Sequence, residues 1–164
     1  MGTQEHWTAA QYQEYLRQRA KGGNKYHAVK AQADGRTYDS RSECKRAKEL
    51  AKDLPKLKRK YTYASSGLFI RPAEGPEDLL KEGCAQHNCV YSCYTEPYLD
   101  RKTDILFVRK QSNPDQSYVT VEFKNGAVIQ CRADHNRPAP PDVQEFMQAW
   151  LAHLKSNRKA KAVS

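Results

Sequence analysis

The stretch Tyr118–Arg132, YVTVEFKNGAVIQCR, decides the fold that the sequence predicts. Apolar residues at 119, 121 and 123 alternate with polar ones, which is the period-two pattern of a strand with one buried face. The dipeptide Asn125-Gly126 follows, and it is the strongest short-range signal for a two-residue hairpin turn. The stretch therefore predicts two antiparallel strands joined by a tight turn.

Segments on either side extend this hairpin into a larger plan. The apolar run ILFVRK at 105–110 predicts a strand, and PPDVQEFMQAWLAHLK at 140–155 predicts an amphipathic helix. Upstream, the sequence predicts a helix that ends at Pro55, a short strand at 67–71 and one helix over 77–94. The predicted fold class is α+β, with a short antiparallel sheet (a meander or hairpin) and helices packed on one of its faces.

Charge is distributed unevenly along the 164 residues, whose net charge is +9. Residues 1–65 contain 15 basic and 7 acidic side chains, a balance of +8, whereas residues 66–164 contain 13 and 12, a balance of +1. A basic half joined to a neutral half predicts that the first half contacts a polyanion, most simply RNA or DNA. The alternative is a solvated basic surface with no partner.

Candidate nucleic-acid contacts lie in and after the basic helix and in the loop CRADHNR at 131–137. Lysine and arginine can hold phosphates while a neighbouring tyrosine stacks on a base. The predicted contacts are Lys45, Arg46, Lys48, Lys52, Lys56, Lys58, Arg59, Lys60, Tyr61, Arg132 and Arg137. Two alternatives stay open: the tyrosine could pack on a strand face, and the loop could only cap the hairpin.

Acidic residues support a second, catalytic hypothesis. Metal-dependent nucleases hold Mg²⁺ with converging Asp and Glu side chains and use a Lys to orient the attacking water. Asp104, Glu122 and Lys124 supply these residue types, with Glu43 as an auxiliary acid. However, Glu43 is also explained as the partner of Ser40 in a helix capping box. If the protein is an enzyme, the sequence predicts a Mg²⁺-dependent nuclease; as a binding protein it needs no cofactor.

Four residues of metal-ligand type fall close together: Cys84, His87, Cys89 and Cys93. Such a set suggests zinc, but helical spacing directs Cys89 away from the face that Cys84 and His87 share, and no C-x-x-C is present. Free buried cysteines behave as small hydrophobic residues. The sequence therefore predicts no metal site, and these four residues are only a weak zinc candidate.

Targeting signals are also missing from the sequence. No apolar run approaches the roughly 20 residues of a membrane span, and the N-terminus lacks the basic start and apolar core of a secretory signal. Five cysteines, an odd number, favour free thiols in a reducing compartment. The sequence predicts a cytoplasmic protein of a bacterial host with no membrane contact.

Two segments resemble known families. From about residue 72 to 154, the chain resembles the PcfJ-like domain of conjugative plasmid and phage proteins, and EGCAQHNCV, ILFVRK and QCR with the later NR are its most specific parts. The segment KYHAVKAQADGRTYDSRSECKRAKEL, about 25–50, resembles the N-terminus of a phage endonuclease family of the PD-(D/E)xK class, in which the helix glutamate corresponds to Glu43. Both resemblances imply a mobile genetic element.

The predicted organisation has three parts. They are a basic helical and hairpin N-terminal region at 1–65, a PcfJ-like α+β domain at 66–155, and a disordered basic tail at 156–164. The predicted function is a nucleic-acid-binding accessory protein encoded by a phage or plasmid. One predicted role is counter-defence, in which the partner is the guide RNA or nucleoprotein complex of a host nuclease. The alternatives are the Mg²⁺-dependent endonuclease and a structural partner in a conjugation or phage complex.

Overall fold

The computed structural model describes residues 31–33, 36–38 and 41–162. The capping residue Ser40 lies outside this part of the chain. The described elements are β1 (Ala31–Ala33), β2 (Arg36–Tyr38), α1 (Arg41–Tyr61), β3 (Tyr63–Ser65), β4 (Leu68–Pro72), α2 (Pro76–Gln86), α3 (Val90–Leu99), β5 (Asp104–Lys110), β6 (Val119–Lys124), β7 (Ala127–Ala133), a 3-10 turn (Asp134–Asn136), β8 (Arg137–Pro138) and α4 (Pro141–Ala162).

Strands β3 to β8 form one antiparallel sheet in which neighbours in sequence are neighbours in space. The predicted hairpin is confirmed as β6 and β7, and Asn125 and Gly126 both have positive φ (53° and 81°), as a two-residue turn of the primed type requires. Strands β1 and β2 form a separate two-stranded sheet. The sheet is longer than predicted because β3 and β8 add short strands at its two edges.

Helices contact both faces of the large sheet. On the first face, Trp150 of α4 and Tyr61 of α1 pack against Phe123, with ring centroids 5.2 and 5.7 Å away. On the second face, Glu82 of α2 accepts a hydrogen bond from Thr120, which precedes Val121 on β6 and so points to the opposite side. The predicted α+β class with an antiparallel sheet is confirmed, but the helices do not lie on one face only.

The central strand β5 explains why helices cover both faces of the sheet. Residues 105–109 of this strand are buried without interruption. A near-continuous apolar run is typical of a strand covered on both faces, whereas a strand with one wet face alternates. The run ILFVRK is typical of such a strand, but it does not identify the segments that cover the second face.

Helix α1 does not end at Pro55, as the sequence predicts, but continues to Tyr61. A proline inside a helix removes one hydrogen bond and costs about 3 kcal/mol. Here Leu57 and Tyr61, beyond the proline, are buried in the same hydrophobic core as Ile70 and Trp150, and their burial offsets that cost. Residues 41–61, predicted to belong to the N-terminal region, thus share one core with the sheet.

The helix predicted over 77–94 is broken into α2 and α3 at His87. This residue adopts a left-handed conformation (φ 49°, ψ 49°), and its N–H donates to the carbonyl of Gly83. Through its side-chain oxygen, Asn88 then accepts a hydrogen bond, 3.0 Å long, from the N–H of Val90, the first residue of α3. Gly83 allows the tight corner, because a Cβ there would lie 3.3 Å from the carbonyl oxygen of Asn88.

The predicted disordered tail is helical as far as the structure describes it. Helix α4 continues through Ala162, with residues 156–162 exposed. Lysine, arginine and alanine are good helix formers, so they extend a helix that the packed residues Phe146 and Trp150 have already started. No helix among the described residues combines the length and apolarity that crossing a membrane requires.

A buried ion pair attaches α2 to the second face. Glu82 is 1% exposed, and it accepts hydrogen bonds from Arg109 (2.5 Å), Ser117 (2.7 Å) and Thr120 (2.7 Å). Arg109 is itself only 4% exposed. Both carboxylate oxygens therefore have partners from β5, from β6 and from the loop between them.

We expect Glu82→Ala to lower the free energy of unfolding by about 3–5 kcal/mol, because it leaves the charge of Arg109 buried without a partner. Denaturant unfolding followed by circular dichroism measures the change. Glu77→Ala on the same helix is the control: its pair with Lys81 lies at the surface, so the expected loss is below about 1 kcal/mol. Equal losses in the two variants would contradict this role for Glu82.

Candidate nucleic-acid interface and polar cleft

Helix α1 has an apolar side and a basic side. Leu50, Leu57 and Tyr61 are buried at helical spacing on one side, and Cys44 is also buried, in the first turns of the helix. At 3.6 residues per turn, six exposed cations fall within an arc of about 80° on the other side and extend over about 27 Å of helix. We call this set the α1 stripe: Arg41, Lys45, Lys48, Lys52, Lys56 and Arg59.

The stripe cations have no carboxylate partner among the residues that the structure describes. Five of them were predicted from the sequence. Arg41 was missed, although its spacing of four from Lys45 is the sequence signal that places it in the same row.

The other three predicted cations of α1 are engaged within the protein. Arg46 lies 2.6 Å from Glu96 and 2.8 Å from Asp100, and these hydrogen bonds raise the pKa of its guanidinium. Lys58 pairs with Glu74 at 2.5 Å, and Lys60 donates to the hydroxyl of Tyr61. Arg46 thus ties α1 to α3, and the structure separates these cations from the α1 stripe.

Tyr61 does not lie where it could stack on a base. It is 1% exposed, and its hydroxyl donates a hydrogen bond to Asp104 at 2.5 Å. Burial and this hydrogen bond raise the pKa of the phenol. The prediction of Tyr61 as a nucleic-acid contact is therefore wrong, and the alternative of a packing role describes it.

The predicted catalytic residues are not brought together. Asp104 is in register with Phe123, and Glu122 is in register with Ile105, so the two carboxylates project from opposite faces of the sheet. Asp104 faces Tyr61, whereas Glu122 accepts from Thr103 at 3.2 Å and from Gln130 at 3.3 Å. One metal ion cannot bind both carboxylates, because the sheet lies between them.

Lys124 and Glu43, the other two predicted catalytic residues, do not provide a metal site either. Lys124 is exposed at the end of β6, beside the hairpin turn. Glu43 is half-buried in the first turn of α1. The strand pair Asp104 and Glu122 was the centre of the nuclease hypothesis, so the geometry gives that hypothesis no metal site.

A polar cleft of about 370 Å³ opens on the second face, between the α2–α3 corner and strands β5 to β7. Its lining includes Asn88, Tyr94, Glu122, Gln130, Arg132 and Asn136. The hydroxyl of Tyr94 accepts from Gln130 at 2.7 Å, and burial together with the charge of Glu122 raises the pKa of this phenol. Of the predicted basic contacts, Arg132 is the one that lines this cleft.

The weak zinc candidate is not assembled either. Burial raises the pKa of the Cys84 thiol, and a hydrogen bond with Cys93, together with burial, raises that of Cys89. Within the part of the chain that the structure describes, none of the three cysteines belongs to a group of converging side chains of ligand type. Among the described residues, the side chains of ligand type that converge are instead His87, Asp134 and His135.

His87, Asp134 and His135, which we call the His–Asp–His cluster, lie beside the cleft. His87 and His135 each approach one carboxylate oxygen of Asp134 through Nδ1, at 2.8 and 2.9 Å, and their rings stack with centroids 4.4 Å apart. These hydrogen bonds, that of His87 first, lower the pKa of Asp134 to about 2. Arg137, a predicted nucleic-acid contact, pairs with the other carboxylate oxygen at 3.1 Å.

Sequence reasoning did not find this cluster as a unit. His87 was assigned to the zinc candidate, and His135 lies in the loop CRADHNR, 48 positions further along the chain. The two are joined only because the 3-10 turn after β7 packs on the C-terminal end of α2. No local spacing in the sequence encodes that contact.

Comparison with known proteins agrees with one of the resemblances. The family described as PcfJ-like protein matches residues 13–147, which includes the segment 25–50. A Listeria innocua protein, described as uncharacterized protein Lin1253/Lin1744, is 39% identical over 112 residues, covering 68% of this chain and 23% of that protein. The chain therefore spans about a quarter of that relative.

No solved structure matches the chain. The family match covers most of the chain and contains α1, the complete large sheet and the start of α4. On this match, the chain belongs to the PcfJ-like protein family.

Proposed function

We propose that the protein binds nucleic acid through the α1 stripe. The observation that carries the proposal is a row of six exposed cations on one arc of a helix whose opposite side is buried in the core. Neighbouring stripe positions are three or four residues apart, which is about 4.5–6 Å along the helix axis. A regular row of this kind suits a regular row of phosphates, whose neutralisation dominates nucleic-acid affinity.

Charge in the surroundings favours the same surface. Glu49 and Asp53, the acidic residues in the middle of α1, fall outside the arc of the stripe at 100° per residue. Carboxylates elsewhere in the described chain, such as Glu74 and Glu96, engage Lys58 and Arg46 instead. The stripe is therefore a concentrated row of positive charge, in contrast to the diffuse basic surface that a protein with no nucleic-acid partner would carry.

The biological setting that we propose is a phage or conjugative plasmid, in which the protein acts as an accessory factor. This part rests on the PcfJ-like resemblance to proteins of such elements. In that setting, structured RNA, including the guide RNA of a host defence nuclease and its complex, is one proposed target for the stripe. Binding assays run side by side with duplex DNA, single-stranded DNA and structured RNA would show whether the protein prefers structured RNA or binds nucleic acids in general.

A nuclease is not the function that the geometry favours. Asp104 and Glu122 lie on opposite faces of the sheet, and the proposed binding function requires no metal cofactor. If the protein is instead a structural partner that does not bind nucleic acid, its affinity for DNA and RNA should be no greater than that of any protein with the same net charge.

We expect binding to duplex DNA to depend steeply on salt. If the six stripe cations each neutralise one phosphate, the affinity falls by about 10³-fold between 50 and 200 mM salt, because the bound counterions are released. Fluorescence anisotropy of a labelled duplex across this range measures the slope. A slope near zero would contradict the proposal.

Two matched variants locate the contact surface. Lys48→Gln with Lys52→Gln removes two stripe cations, and we expect the magnitude of the salt slope to decrease by about two, one unit for each lost phosphate contact. Lys58→Gln with Lys81→Gln removes the same charge from residues that pair with Glu74 and Glu77, and we expect little change. Equal effects of the two double variants would show that only net charge matters.

We expect labelled DNA and RNA to be shifted but intact in gels run with EDTA, Mg²⁺ or Mn²⁺. The reason is that the strand carboxylates of the predicted catalytic set cannot share an ion. Glu122→Ala should leave these gels unchanged. Metal-dependent fragments that disappear with Glu122→Ala would instead establish the nuclease.

A further inference from the structure

We propose that His87, Asp134 and His135 form a binding site for a divalent first-row transition metal ion such as Zn²⁺. The site is separate from the α1 stripe and does not depend on nucleic-acid binding. Two imidazole nitrogens and one carboxylate oxygen are the ligands offered, and this combination suits Zn²⁺ and its neighbours in the first transition row.

The distances between these ligand atoms are close to those of a loaded site. The three atoms lie within 4.8 Å of one another, and each Nδ1 is 2.8 or 2.9 Å from the carboxylate oxygen. In a tetrahedral site with bonds of about 2.0–2.1 Å, ligand atoms are about 3.3 Å apart. On binding an ion, the two N···O separations would open by about half an ångström, and the imidazole ligand atoms, within 4.8 Å of each other, would close toward the same tetrahedral separation. The ion would replace the two N–H···O hydrogen bonds, with each imidazole proton moved to Nε2 or released.

The carboxylate of Asp134 is held in the orientation that a ligand needs. Arg137 donates to the second carboxylate oxygen of Asp134 at 3.1 Å and to its backbone carbonyl at 3.0 Å. The first oxygen is thereby directed toward the two imidazoles. Such partners of a ligand commonly fix the geometry of metal sites.

The backbone places both imidazoles before any ion binds. His87 and His135 adopt left-handed conformations with φ of 49° and 55°, which are uncommon for residues other than glycine, although histidine adopts them more often than most. His87 ends α2, whose position is set by the buried contacts of Glu82, and His135 lies in the 3-10 turn after β7. Two separate, anchored elements thus bring the rings into a stack.

The site is also accessible to ions. The side chains of His87, Asp134 and His135 are 36%, 38% and 50% exposed. Three protein ligands leave at least one position of a tetrahedral ion for water or another ligand. Asn136, the next residue, lines the polar cleft, so the ion would lie at the rim of that cleft.

The test is titration of the 164-residue chain, stripped with chelator, with Zn²⁺ and then Co²⁺ as probes. Calorimetry should give one ion per chain. We expect His135→Asn and Asp134→Asn each to weaken binding at least tenfold, roughly the scale of losing a group that supports a metal site. Asparagine is chosen for His135 because it tolerates positive φ.

Matched controls separate this site from other binders. His153→Asn removes a surface imidazole of α4 that contacts Tyr63 and Asn157, and Cys89→Ser with Cys93→Ser removes two neighbouring thiols. Both controls should bind as the original protein does. A measurement that needs no substitution is the ¹H–¹⁵N NMR spectrum of the imidazoles of the original protein. In this spectrum, Zn²⁺ should shift the signals of His87 and His135.

Several results would overturn the proposal. They are the binding of no ion, binding that persists unchanged in both His135→Asn and Asp134→Asn, and binding that is lost with the two serine substitutions. A Co²⁺ spectrum with thiolate charge-transfer bands would equally assign the ion to cysteine. If either cluster variant fails to fold by circular dichroism, the imidazole spectrum of the original protein decides.

Discussion

Glu82 reaches from α2 into the sheet and meets Arg109 of β5, Thr120 of β6 and Ser117 of the intervening loop. Taking both charges out of water is costly, so the pair stabilises the fold only in an arrangement that brings the two charges together and gives the Glu82 carboxylate its hydrogen bonds. That requirement determines the position of α2 on the second face. The end of α2 then carries His87 to the 3-10 turn, and the α2–α3 corner forms one wall of the polar cleft. The arrangement of the cleft and the His–Asp–His cluster thus depends on this buried carboxylate.

Helix α1 connects stability to the proposed function in a different way. Its buried side carries Leu50, Leu57 and Tyr61 in the common core, and the indole N–H of Trp150 donates to the carbonyl of Tyr61 at 2.9 Å near the C-terminal end of the helix. These contacts fix the rotation of the helix about its axis. The opposite arc, with its row of cations, is therefore presented as one rigid surface. Arg46 strengthens the same arrangement through α3, which explains why a predicted contact residue serves the fold instead.

The sheet also separates the carboxylates of two residues on neighbouring strands. Asp104 and Glu122 lie on neighbouring strands, but their register directs one toward Tyr61 and the other toward the cleft. A shift of one residue in that register would have placed both on one face. The apolar residues Leu106, Val121 and Phe123 decide the register, since all of them must be buried on the side of Trp150. Hydrophobic burial thus outweighs any arrangement of the carboxylates.

The sequence by itself determined the α+β class, the β6–β7 hairpin, the amphipathic α4 and the basic character of α1, because alternation, Asn-Gly and helical spacing are local signals. Only the tertiary structure decided that α1 continues past Pro55, that a second pair of helices covers the other face, and that His87 meets Asp134 and His135. Each of these depends on contacts between distant segments: Leu57 and Tyr61 in the shared core, Glu82 with Arg109, and the 3-10 turn against α2. Side-chain burial across the sheet, which no local pattern encodes, is the physical reason for the difference.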